Sequence, residues 1–165
     1  MKRHTQWLVN HGACSEAVKW VETQDSMQDA WNNCHRADWM LWLMRAAKVQ
    51  DDKLYRLFAC WCVRNTPLAD GRKVWDLLTD KRSQNAVEVS ERFANGEATR
   101  ADLMADAAAD ADAADADAAA AYAAAAAAAY AAADAAAAYA AARSNALLVQ
   151  ANHLRTVVPQ FIIPE

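Results

Sequence analysis

Residues 36–49 read Arg36-Ala37-Asp38-Trp39-Met40-Leu41-Trp42-Leu43-Met44-Arg45-Ala46-Ala47-Lys48-Val49, and this stretch decides the fold. The six consecutive positions from Trp39 to Met44 are all apolar. A surface helix confines its apolar residues to one stripe, so six in a row predict a helix covered on most sides and place it at the centre of the structure.

Helical signals surround it. Upstream, Ala13, Ala17, Trp20 and Val21 have helical spacing across Cys14 to Thr23. Ser26 with Asp29 three later makes a capping box that starts the segment holding Trp31. Downstream, Asp51 and Asp52 open a helix in which Leu54, Leu57, Phe58 and Trp61 fall at i, i+3, i+4 and i+7, ending before Pro67. Val74, Leu77 and Leu78 mark a shorter helix. Ala86, Val89 and Phe93 mark another, which stops at the C-terminal cap Asn95-Gly96. Three prolines and three glycines punctuate the whole chain, and none falls between Glu97 and Val158.

A second capping box, Thr99 with Asp102, launches an alanine tract: 30 of the 43 residues from Ala101 to Arg143 are Ala, a composition that makes helix the local default. One unbroken helix from Thr99 to Val158 would run roughly 90 Å, far beyond a compact domain of this size. The helix must therefore be broken or must protrude; a break between Tyr130 and Arg143 is the expected one, with a junction at Arg143-Ser144-Asn145. A last amphipathic helix follows through Leu147, Leu148, Ala151 and Leu154 to Pro159. The tail Phe161-Ile162-Ile163 is too apolar to float free and is expected to pack on the body.

The expected architecture is all-α: a single domain over 1–165, a helical bundle or solenoid-like array of helical hairpins. Its Trp-rich hairpins span 13–96, long Ala-, Asp- and Tyr-rich helices span 99–158, and the tail is 159–165. The N-terminus lacks an apolar run of signal-peptide length, and four cysteines inside helical patterns read as reduced, so a cytoplasmic setting is expected. The uncharged run Ala118 to Ala133 has no Leu, Ile or Val and is flanked by Asp117 and Asp134, which argues against a membrane span. Residues 1–100 carry 15 Lys plus Arg against 13 Asp plus Glu, while residues 101–165 carry 2 against 8, so electrostatic attraction belongs to the second part.

Ala13-Cys14 with Ala17 and Trp20, Ala30-Trp31 with Cys34, Arg36 to Leu43, and Arg92-Phe93-Ala94-Asn95-Gly96-Glu97-Ala98-Thr99 before an alanine-rich tract together resemble a family of immunity-protein domains that occur in bacteria and bacteriophages. The resemblance runs roughly from Cys14 to Arg155, and its specific part is Trp31 to Leu43. The chain departs from the family in placing Asp and Tyr, rather than Trp and Arg, along the alanine tract. What the resemblance implies is neutralisation of a toxin or defence effector by stoichiometric binding, with no catalytic residues to carry over.

Two candidate surfaces follow from the residues. Asp102, Asp106, Asp110 and Asp117 share one helical face, with Asp112 and Asp115 roughly opposite, and such a face suits a basic effector. The plainer reading is a solvated face that keeps an alanine helix soluble. Asp38, Trp42 and Arg45 lie in a row at i, i+4 and i+7, with Arg36 and Trp39 nearby, a set that could stack a planar ligand such as a nucleotide. The plainer reading there is an internal ion pair with Arg lying over buried Trp. No metal site, cofactor or catalytic constellation is expected, because Cys60 and Cys62 point apart on a helix and the histidines are scattered. Direct nucleic-acid binding would need Lys53, Arg56, Arg64, Arg72, Lys73, Lys81 and Arg82 to converge. The favoured function is inhibitory binding of a protein effector. Sequestration of a nucleotide signal and structural self-association through the alanine faces are the alternatives.

Overall fold

The computed structural model describes residues 1–105 and 136–161, and they form an all-α fold. Its helices are α1 (Arg3–Asn10), α2 (Ser15–Glu22), α3 (Met27–Asn33), α4 (Ala37–Ala46), α5 (Asp52–Asn65), a 3₁₀ turn (Val74–Leu77), α6 (Lys81–Ala94) and a C-terminal helix (Ala136–Val157). Residues 100–105 are helical as well. Among the described residues the only extended pairing is an isolated bridge between Pro67 and Lys73.

The chain groups into two compact units, one of residues 1–50 with 147–165 and one of residues 51–146. The grouping does not follow the change of composition near residue 97. It follows burial: the first unit closes its core with side chains from the far end of the sequence.

In the first unit, α1 turns into α2 through Gly12, whose φ of 77° lies in the left-handed region that a side chain disfavours. The Ala13 amide there reaches back to the Leu8 carbonyl at 3.0 Å. Ser26 caps α3 as its spacing predicted, accepting from the Asp29 amide at 3.0 Å while its own hydroxyl donates to the Asp29 carboxylate at 2.6 Å. Helix α4 is central: Ala37, Met40, Leu43 and Met44 are buried, and none of Trp39 to Met44 is exposed. Ala151 and Leu154 of the C-terminal helix are fully buried in the same unit.

Trp31 ties the far end of the chain to α3. Its indole N–H donates to the Val158 carbonyl at 2.9 Å, and Phe161 stacks on its face. Arg155 donates to the carbonyls of Trp31 and Cys34 at 3.3 and 2.7 Å, placing a cation where α3 leaves carbonyls unpaired. The expected packing of the tail thus holds at Phe161, which is buried; residues 162–165 lie outside the described residues.

In the second unit α5 packs on α6 and on the 3₁₀ turn. Arg64 closes this contact, donating through Nε and Nη2 to Glu91 at 2.6 and 2.8 Å while its guanidinium lies 4.1 Å from the centre of the Trp75 ring. Helix α6 ends at Asn95 with Gly96 at φ 78°.

The junction expected at Arg143-Ser144-Asn145 is absent: the helix Ala136–Val157 runs straight through it. All three residues are exposed, so their polar groups meet water and cost the helix only about 0.5 kcal/mol each relative to Ala, while Ala and Leu on either side favour continuation. Residues 136–143 contain no break either; residues 106–135, where the other expected turns fall, lie outside the described residues. Two local elements differ from the sequence reading. Helix α1 was not anticipated, and the segment at Val74 is a 3₁₀ turn that leaves Leu77 half exposed.

Candidate functional site

The first unit encloses a cavity of about 420 Å³, open on one side. Its walls come from the end of α1 (Leu8, Gly12), from α2 (Ala17, Trp20, Val21), from α3 (Met27, Ala30, Trp31) and from α4 (Asp38, Trp39, Met40, Trp42, Leu43), with Ala13, Cys14, Cys34 and Arg36 between them. Four of the seven tryptophans of the chain line it. Trp20 and Trp39 meet at a tilt of 52° with centroids 5.9 Å apart, which holds both rings at fixed angles.

Among the described residues only two charged side chains reach this lining, and they neutralise each other. Arg36 donates from Nε to Asp38 Oδ1 at 2.9 Å and from Nη2 to Oδ2 at 2.7 Å, a bidentate fork. The same guanidinium sits 4.6 Å from the centre of the Trp39 ring. Sequence places them so because Arg36 is the residue that enters α4 and Asp38 falls in its first turn, where a carboxylate also complements the helix dipole. The Arg36 hydrogen bonds hold the Asp38 carboxyl below its ordinary range despite partial burial, and the same bonds raise Arg36. Behind the pair, burial pushes the Cys34 thiol up.

Of the predicted ligand set, Arg36, Asp38, Trp39 and Trp42 come together on this wall, but Arg45 does not. Arg45 shares a helical face with Asp38, yet seven residues carry it about 10 Å along the axis, to the exposed last turn of α4. The sequence reading of the site omitted Trp20, Trp31, Met27 and the Gly12-Ala13-Cys14 turn. The available signal was density, since the four lining tryptophans all fall between residues 20 and 42.

Among the described residues the lining contains no His, Ser, Thr, Lys or Tyr. The carboxylate of Asp38, the one in this lining among the described residues, is bridged to Arg36. Such walls can bind and orient, chiefly by stacking and apolar contact.

Of the acidic face, Asp102 alone is described. Its carboxylate accepts from the Thr99 amide and hydroxyl, both at 2.7 Å, and the Asp102 amide donates to the Thr99 Oγ1 at 3.2 Å, so it completes the predicted capping box. Those hydrogen bonds hold its carboxyl below the ordinary range. Asp106, Asp110, Asp112, Asp115 and Asp117 lie outside the described residues. Most of the basic residues that might have formed a nucleic-acid stripe are engaged locally instead. Arg56 lies over Phe93, Arg64 is held by Glu91, Arg72 by Asp70 and Arg82 by Asp80.

Among the described residues no three His, Cys, Asp or Glu side chains gather as a metal-ligand set, and no helix is long and apolar enough to cross a membrane. Comparison with protein-family models, with curated proteins and with solved structures gave no match to this chain.

Proposed function

We propose that this protein acts by stoichiometric binding rather than by catalysis, and that the tryptophan-lined cavity holds a small, flat, weakly polar molecule. The observation that carries the reading is the pairing of a ligand-sized volume, about 420 Å³, with indole walls and a single self-neutralised ion pair. Binding sites for small molecules combine largely apolar walls with a few placed polar groups. The same observation narrows the nucleotide alternative. Phosphates would find one guanidinium, already bridged to Asp38, so the cavity favours an uncharged ring over a multiply charged nucleotide.

Inhibition of a protein effector, the role implied by the resemblance to bacterial and phage immunity domains, is the second reading. It is favoured by the charge imbalance of residues 101–165, 2 basic against 8 acidic, which suits a basic partner. Neutralisation of a toxin or defence effector inside the host cytoplasm is the setting that this reading supposes.

Native mass spectrometry of the protein purified gently from cells separates the two. An added mass of a few hundred daltons that disappears in Trp42→Ala supports the cavity. An added mass of several kilodaltons that is lost in salt and in Asp106→Asn/Asp110→Asn/Asp117→Asn supports effector inhibition and counts against the cavity as the working site.

A further inference from the structure

Arg36 and Asp38 offer more than charge neutralisation. A guanidinium has five N–H donors, and the fork to Asp38 uses one on Nε and one on Nη2. The Nη1 nitrogen lies 3.9 Å from the Glu16 carboxylate, beyond hydrogen-bond reach. Each Asp38 oxygen accepts one of the two fork bonds, and the backbone amides of Asp38 and Trp39 approach the same carboxylate, which as a four-site acceptor can still take a further donor at its outer edge. The fork is planar, so the second N–H of Nη2 and the outer edge of the carboxylate flank the same side of it, splayed apart, and both residues belong to the cavity wall among the rings of Trp20, Trp39 and Trp42.

A group complementary to that edge carries an acceptor and a donor next to each other in the plane of a flat ring. We infer that the cavity selects flat heterocycles bearing a ring carbonyl beside a ring N–H, a lactam edge, and that Arg36 and Asp38 read this edge together while the indoles take the ring faces. The carbonyl accepts from Arg36 and the ring N–H donates to Asp38. Purely hydrocarbon rings leave both groups unanswered, and rings with an acceptor alone answer only Arg36. The inference rests on the reading of the cavity as a ligand site.

Calorimetric titration of the full chain with quinolin-2-one and with quinoline tests it, since the two bicycles are close in size and quinoline lacks the donor. The lactam is expected to bind about tenfold more tightly or better. That preference is expected to collapse in Asp38→Ala, which removes the acceptor, and to shrink in Arg36→Lys, which loses the planar fork. Equal binding of the two probes by the parent protein overturns the inference and leaves the cavity as a ligand site. Survival of the preference in both variants overturns it as well. Failure of both probes to bind overturns this inference and the ligand-site reading together. If a variant fails to fold by circular dichroism, the parent comparison decides alone.

Discussion

Trp31 and Phe161 stack with ring centroids 4.8 Å apart and planes 14° from parallel. Trp31 is 1% exposed and also forms part of the cavity wall, so the ring that Phe161 covers is one a ligand would meet from elsewhere in the cavity. Removing Phe161 strips this support. Phe161→Ala is expected to destabilise the first unit by about 3 kcal/mol. Trp31→Phe keeps a ring to stack on but leaves the Val158 carbonyl without its donor, for about 1 kcal/mol. Urea unfolding followed by tryptophan fluorescence measures both, and a Phe161→Ala midpoint equal to that of the parent would show that the stack contributes nothing.

The Arg36–Asp38 fork gives stability a defined pH window. The folded Asp38 carboxyl is held below its ordinary value of 3.8, chiefly by the Arg36 hydrogen bonds, so its contribution is present in full above that pH and is lost as pH falls through the lowered folded value. The side chains are 30% and 41% exposed, which limits the effect to about 1 kcal/mol or less. Parent and Asp38→Asn proteins are therefore expected to differ at pH 7 and to converge in strong acid. A difference that persists unchanged at pH 2 would assign it to packing instead.

Thiol reactivity should sort by burial. Burial raises Cys34 and Cys60 and pushes Cys62 up to about 11, so at pH 8 roughly one Cys62 thiol in a thousand is ionised. Cys14 is exposed at the mouth of the cavity. Iodoacetamide at pH 8 is expected to add once quickly, at Cys14, and then slowly. An intact-mass time course with two equally fast additions would contradict the burial of Cys34 and Cys60 and the partial burial of Cys62.

Much of the fold was legible in local chemistry. The apolar run Trp39 to Met44 marks the central helix, and the Ser26/Asp29 and Thr99/Asp102 spacings mark helix starts, because capping depends on residues three apart. What depends on partners distant in sequence was not legible. No periodicity announces that Trp20 tilts against Trp39 or that Arg155 reaches the carbonyls of α3. The junction read at Arg143-Ser144-Asn145 failed because polar residues end a helix only when something competes for the backbone, and here all three face solvent. Spacing within one helix groups Arg36, Asp38, Trp39 and Trp42, and the structure brings these four to one wall. Arg45 was misplaced because angular position around a helix ignores distance along it.

The first unit draws on residues 1–50 and on residues beyond 147, whereas the second uses only the stretch between them. A ribosome therefore delivers every residue of the second unit before the first can be completed. While translation continues, Trp31 has neither the Val158 carbonyl nor the Phe161 ring, and the carbonyls at the end of α3 wait for Arg155. Contacts across so long a span close late and pay a large loop entropy. The nascent chain thus carries an unsupported, tryptophan-rich pocket wall until its closing segment emerges, and in newly made protein the cavity should reach its final form with a lag after synthesis rather than in step with it.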